Sequence, residues 1–184
     1  MDEEQAIRQL KAGDIGGLET LVSLYQLRAV RTAFLITRDT ALAEDAVQEA
    51  FLQIYRSIRH FDADRPFAAW FMRCVINAAV KAARKSTRYA PAESDSGEAC
   101  LESLPDENEC VEGQVESSES QRQVWEAMQN LSARQRAAIV QRYYLDMSEK
   151  EMSAELAAAP GTVKWLLHAA RKNLRNLLSE RTEK

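Results

Sequence analysis

Asp45, Gln48 and Glu49 stand at i, i+3 and i+4, the spacing that puts three side chains on one face of a helix. Two carboxylates and an amide there can bond a basic partner or can simply be solvated, and the residues alone leave both readings open. Nothing around them suggests acid–base catalysis. Further along, Arg73, Asn77, Lys81, Arg84 and Arg88 recur at spacings of 4, 4, 3 and 4, with Trp70 one turn before Arg73. Such a line can hold a phosphate backbone through its four cations, while the amide and the indole can meet exposed bases. A plain solvated basic face has the same pattern. A third set, Lys164, Trp165, His168, Arg171, Lys172 and Arg175, lies along the outer side of a helix-spaced stretch near the C-terminus.

Helices must position all three sets. Val47, Phe51, Ile54 and Ile58 form a buried seam behind the acidic face, and Asp39-Thr40 begins that helix. Pro66 disfavours helical geometry at Arg65 and ends the segment before it. The basic face belongs to a helix from Phe67 to about Lys85, with Phe67, Phe71, Cys74, Val75, Ala78 and Ala82 as its core stripe. Upstream, apolar residues from Ile7 to Leu35 keep helical spacing around a break at Gly13-Asp14, where Asp14 can cap the next helix. From Pro91 to about Ser120 periodicity stops and acids, Ser, Gly and Pro dominate, as in a linker. Beyond it, Val124, Met128 and Leu131 close one helix; Ile139, Val140 and Tyr143 carry the next as far as Leu145. Ser132/Gln135 and Ser148/Glu151 fit capping boxes. Pro160 opens a final helix that buries Val163, Leu167, Ala170, Leu174, Leu177 and Leu178. A short capped helix, a tight turn and a basic amphipathic helix make a helix-turn-helix pattern suited to DNA.

The sequence thus predicts an all-α chain of two small helical domains, 1–90 and 121–184, joined by a flexible acidic linker over 91–120. A net charge of -4 conceals this division. The first block carries 13 basic and 11 acidic groups, the linker 10 acids and no base, and the last block 11 basic and 7 acidic groups. No apolar run is long enough to span a membrane, and the acidic N-terminus lacks a signal-peptide core, which predicts a cytoplasmic chain without membrane insertion. Three cysteines (Cys74, Cys100, Cys110) and two histidines (His60, His168) offer no CxxC or Cys/His cluster, so neither metal nor cofactor is expected. No nucleophile–base pair or phosphate-cradling glycine loop points to an enzyme.

The ordered motifs resemble those of the extracytoplasmic-function (ECF) sigma factors of bacterial RNA polymerase. Ala43-Glu44-Asp45-Ala46-Val47-Gln48-Glu49-Ala50-Phe51 is similar to the family's core-binding motif. Phe67-Ala68-Ala69-Trp70-Phe71 followed by Asn77 resembles its promoter-melting helix. Gly161-Thr162-Val163-Lys164, with Ala170-Arg171-Lys172-Asn173-Leu174, resembles its minus-35-reading helix. The resemblance implies that Asp45, Gln48, Glu49 and Phe51 bind core polymerase. It implies that Phe61, Asp62, Arg65, Trp70, Arg73, Asn77, Lys81, Arg84, Lys85 and Arg88 bind the minus-10 element, where one base is flipped out and held by the loop from Phe61 to Phe67. Thr162, Lys164, Trp165, His168, Arg171, Lys172 and Arg175 take the minus-35 element. The implied partners are core RNA polymerase, promoter DNA and an anti-sigma factor. A stand-alone helix-turn-helix regulator is the alternative, and it has no need of Asp45.

Several positions depart from the family pattern. Lys81 replaces a common Asp, and Ala157 and Ala159 occupy turn positions where Gly and Ser are usual. Trp165, Leu166 and Ala169 stand where Ser, Arg and Arg are common, which predicts a minus-35 preference weaker than, or different from, that of typical members.

Overall fold

The computed structural model describes residues 2–89 and 123–182, and every regular element among them is helical. The chain divides into two compact units, Met1–Gly97 and Glu98–Lys184. The expected acidic linker, with Cys100 and Cys110, lies outside the described residues.

In the first unit, α1 (Glu3–Lys11) starts at Asp2, whose carboxylate accepts the Gln5 N–H at 2.8 Å. Gly13, at φ +92°, turns the chain back. Asp14 then accepts the Gly16 N–H at 2.9 Å, at the entry to α2 (Gly16–Thr37). A methyl group on Gly17 would stand 2.3 Å from the Ala6 carbonyl oxygen, so only glycine lets α2 press this closely on α1. Arg38 leaves α2 in the left-handed region, and Asp39 caps α3 (Thr40–Ser57) by accepting the Leu42 N–H at 2.9 Å. A 3₁₀ turn (Ile58–His60) and an exposed loop lead into α4 (Phe67–Tyr89).

α4 packs on both α2 and α3. Its buried set therefore exceeds the expected stripe, adding Met72, Ile76, Ala79 and Ala83; Ala82 is only half-buried. Cys74 is buried among them, as its place on the stripe predicts. No breaker follows Lys85, and Thr87 bonds back to the Ala83 carbonyl at 2.9 Å, so the helix passes the expected end. Phe34, Ile54, Ile58, Phe67 and Phe71 fill the centre. Each such side chain contributes about 1.5–3 kcal/mol when fully buried.

In the second unit, residues 123–129 form α5. The Ser132/Gln135 capping box opens α6 (Ala133–Ile139), and the Ser148/Glu151 box opens α7 (Glu149–Glu155). Two expectations fail here. Residues 140–145 do not continue the α-helix: Val140–Tyr144 form a π turn, closed by Leu145 N–H donating to the Val140 carbonyl at 3.0 Å. The extra residue per turn rotates the residues downstream of it, so Tyr143 faces solvent instead of continuing the apolar seam. Val124 is likewise exposed, while Met128 and Leu131 are buried. Ala157 takes φ +46° after α7, and α8 (Pro160–Thr182) begins at Pro160. Ala138, Met152, Val163 and Leu167 form the core beneath α7 and α8. Ala170 is buried, Leu174 and Leu178 are only half-buried, and the Leu177 side chain lies outside the described residues.

Candidate nucleic-acid and partner interfaces

Asp45, Gln48 and Glu49 are all exposed on α3, because the seam of Val47, Phe51 and Ile54 faces inward. Two distinct borders flank Asp45. On the α2 side, Glu44, Gln48 and Leu52 rim a groove of about 550 Å³ with Leu18, Val22, Gln26 and Val30. Val47 and Phe51 also line it. Phe51 is 8% exposed, with its ring 4.5 Å from that of Phe71. Phe51 is thus buried on the seam, as its spacing predicts, where its ring holds α3 in place and lines the wall of the groove. Leu52, which is half-exposed, was missed because it falls off the seam. Its position beside Gln48 was the available signal.

On the α4 side, Glu49 accepts a bond from the Lys81 ammonium at 2.8 Å. Lys81 was expected to add charge to the basic face, yet here it reaches across to the acidic one. Asn77, Arg84 and Lys85 are exposed along α4, and Arg73 is half-buried. The Arg88 side chain lies outside the described residues.

Ahead of α4, Phe61 is 7% exposed. Its ring stacks on Trp70 at 4.7 Å and 25° and meets Phe67 edge-on at 5.6 Å. The Phe61 ring, which the resemblance implies binds the minus-10 element, lies buried and supports the half-buried Trp70. Asp62 organises the exposed turn beyond it. Its carboxylate accepts the Asp64 N–H at 3.1 Å and pairs with the Arg65 guanidinium at 3.5 Å, and its carbonyl accepts the Arg65 N–H at 3.1 Å. Sequence reading also missed Lys11, whose ammonium donates to the Phe61 carbonyl at 2.7 Å. A single lysine fifty residues away gives no signal in spacing.

In the second unit, Thr162, Lys164, Trp165, His168, Arg171, Lys172 and Arg175 are all exposed on α8. Trp165 is 64% exposed. Leu166 instead packs against the core around Met152 and Val163, which is why an apolar residue is accepted there. Arg171 is already engaged: its Nε donates to the Tyr143 hydroxyl at 2.8 Å, and its guanidinium lies 5.7 Å from that ring's centre. The two residues border an apolar groove of about 580 Å³ that includes Val124, Ile139, Leu174 and Leu178. Among the described residues no group of His, Cys, Asp and Glu could hold a metal ion, and no helix is long and apolar enough to cross a membrane.

Comparison with known proteins bears on both units. Residues 21–89 match the family model described as Sigma-70 region 2, and residues 121–174 match that of Sigma-70, region 4. The ECF RNA polymerase sigma factor SigL of Mycobacterium tuberculosis is 33% identical over 153 residues, 82% of each chain. This chain belongs to the ECF RNA polymerase sigma factors. The sigma factor is also 28% identical to SigW of Bacillus subtilis over 181 residues, covering 96% of this chain and 97% of that one. A solved structure of the sigma factor RpoE with the anti-sigma factor NepR, from Bartonella quintana, shares its fold at a TM-score of 0.64 and 24% identity. That match covers 88% of this chain and 96% of the other. Like the family, this sigma factor directs RNA polymerase to start transcription at promoters.

Proposed function

We propose that α3 is the polymerase handle. Asp45, Gln48 and Glu49 take basic groups of the core enzyme in charge-assisted hydrogen bonds, and the apolar groove beside Gln48 seats a complementary surface. The exposure of all three residues beside an apolar groove carries this reading. The turn Asp62–Arg65 and the face of Trp70, Arg73, Asn77, Lys81, Arg84, Lys85 and Arg88 engage the minus-10 element. Cations there hold phosphates while Trp70 and Asn77 meet unpaired bases. Thr162, Lys164, Trp165, His168, Arg171, Lys172 and Arg175 serve the minus-35 element, with the earlier residues nearer base edges. This assigns residues 1–90 to core and minus-10 binding and residues 121–184 to minus-35 binding, the segment 91–120 joining them. The partners are core polymerase, promoter DNA and, as for RpoE with NepR, an anti-sigma factor. The chain works in the cytoplasm as a recognition subunit, and bond formation belongs to the polymerase.

Transcription with purified core polymerase on a promoter library randomised at the minus-35 element tests this reading. Specific initiation should depend on the chain, with a minus-35 preference that is weak or unusual because Leu166 and Ala169 stand where guanine-reading arginines are common. Asp45→Ala should lower core affinity by about tenfold, the loss of one charge-assisted bond, with the fold unchanged. Unaltered core affinity removes α3 as the handle.

A further inference from the structure

The family-model match begins at residue 21, so α1 lies outside it. The helix is nonetheless firmly fixed. Ala6, Ile7 and Leu10 are buried against α2, at the close approach that Gly17 allows. Tyr25 of α2 donates a hydrogen bond from its hydroxyl to the Glu3 carboxylate, and its ring packs on Phe67 and Phe71. Burial and then the bond to Glu3 hold that phenol protonated, well above its ordinary range. α1 is thus an arm docked on the same aromatic cluster that underlies the loop.

At the end of this arm stands Lys11. Its ammonium donates to the Phe61 carbonyl at 2.7 Å and lies 5.6 Å from the centre of the Phe61 ring. Phe61 follows the 3₁₀ turn with extended backbone, so its carbonyl is the first after the turn, at the root of the exposed loop. One cation therefore holds both the backbone and the ring of the residue from which the loop departs. Two things hang on that residue. Asp62 comes next and builds the turn through Arg65; Trp70 lies stacked on the Phe61 ring. A cleft of about 530 Å³ runs between this arm and the loop, bounded by Ile7, Arg8 and Lys11 on one side and Asp64, Arg65 and Pro66 on the other.

We propose that Lys11 is a positioning residue for promoter melting, holding the loop Asp62–Pro66 and Trp70, through Phe61, in the shape that receives the minus-10 strand. The proposal rests on the assignment of this loop to the minus-10 element. A preformed loop does not have to be ordered as the strand arrives, so its contacts are worth more once the strand has separated. Lys11 touches the loop's root and not its outer edge, so its effect falls on melting, with little on the initial encounter with duplex.

The test uses full-length chain assembled with core polymerase on a promoter carrying 2-aminopurine in the minus-10 non-template strand. Lys11→Met keeps the apolar stem and removes the cation; Lys11→Arg restores a donor; Asp62→Ala/Arg65→Ala disrupts the loop itself. Lys11→Met should slow the fluorescence rise of melting by about five- to tenfold, the loss of a charged hydrogen bond in a half-buried setting. Core affinity and the salt dependence of duplex binding should stay unchanged, and Lys11→Arg should recover most of the rate. In the chain without polymerase, the Asp64 and Arg65 amides should exchange faster in Lys11→Met. Unchanged melting in Lys11→Met, with melting lost in the loop variant, overturns the proposal and leaves the loop assignment standing. Unchanged melting in the loop variant removes the assignment and the proposal together. A salt slope lowered by about one shows a direct phosphate contact instead, and also overturns it. So does a fall in core affinity or thermal stability that matches the loss of melting.

Discussion

Two residues in the second unit sit in places that cost it stability. Ala157 holds φ +46°, where an L side chain crowds its own carbonyl and glycine does not. Ala157→Gly should therefore stabilise the unit by about 0.5–1 kcal/mol, the relief of strain exceeding the added entropy of the unfolded chain. Gln141 is fully buried in the π turn, and neither amide atom of its side chain has a hydrogen-bond partner. Gln141→Met keeps the volume and removes two unsatisfied polar atoms, so about 1–2 kcal/mol of stabilisation is expected. Amide exchange along α8 should slow in both variants, and thermal unfolding should move upward. The Ala157 strain was legible in the sequence as an alanine where glycine is usual. Gln141 was not, because its burial arises from a π turn that helical periodicity cannot announce. The burial of Phe51 was legible from its place on the seam; that of Phe61 was not, because motif position says which loop a ring belongs to, whereas only packing decides which way it points.

At the scale of elements, capping chemistry was the most readable feature. Asp39, Ser132 and Ser148 each begin the helix that their types and spacing predict. α7 depends on this most, since it is seven residues long and so short a helix has little stability of its own. Glu151 accepts the Ser148 hydroxyl at 2.6 Å and the Ser148 N–H at 2.7 Å, and these bonds, the hydroxyl's first, lower its carboxyl below the ordinary range. The folded value lies under the unfolded one, so the cap's contribution is whole above the ordinary carboxylate range. It is lost as pH falls through the depressed folded value. The protection of the α7 amides, relative to their intrinsic exchange at each pH, should accordingly fall on acidification ahead of that in α8. Glu151→Gln, which keeps a capping-box acceptor, should flatten this dependence, and Glu151→Ala should remove the protection at every pH. What the helix patterns could not convey was how neighbouring elements meet. The groove between α2 and α3 and the latch from α1 to the loop join residues tens of positions apart.

Across the whole molecule, charge is divided between faces, and the Glu49–Lys81 bridge is where the acidic face of α3 meets the basic face of α4. Glu49 belongs to the face assigned to polymerase and Lys81 to the face assigned to DNA, and each is occupied by the other at 2.8 Å. Both side chains are more than half exposed, at 56% and 71%, so the pair is worth no more than about 1 kcal/mol. Its importance lies in competition. On the proposed assignment of the two faces, a basic group of the polymerase that takes Glu49 releases Lys81 toward phosphate, and a phosphate that takes Lys81 leaves Glu49 for the polymerase. Each ligand thereby favours the other by the same factor, as linkage requires. Removing Lys81 should then have two effects of opposite sign. Lys81→Ala should raise the core affinity of the chain by about two- to fivefold, since Glu49 no longer has an internal competitor. The same change should weaken holoenzyme binding to a single-stranded minus-10 oligonucleotide and reduce its salt slope by about one. In a Glu49→Gln background the gain in core affinity from Lys81→Ala should vanish, because the bridge is already broken. Titration of fluorescently labelled core with the four chains of this cycle measures the coupling. Additive effects on core affinity show that the bridge carries none.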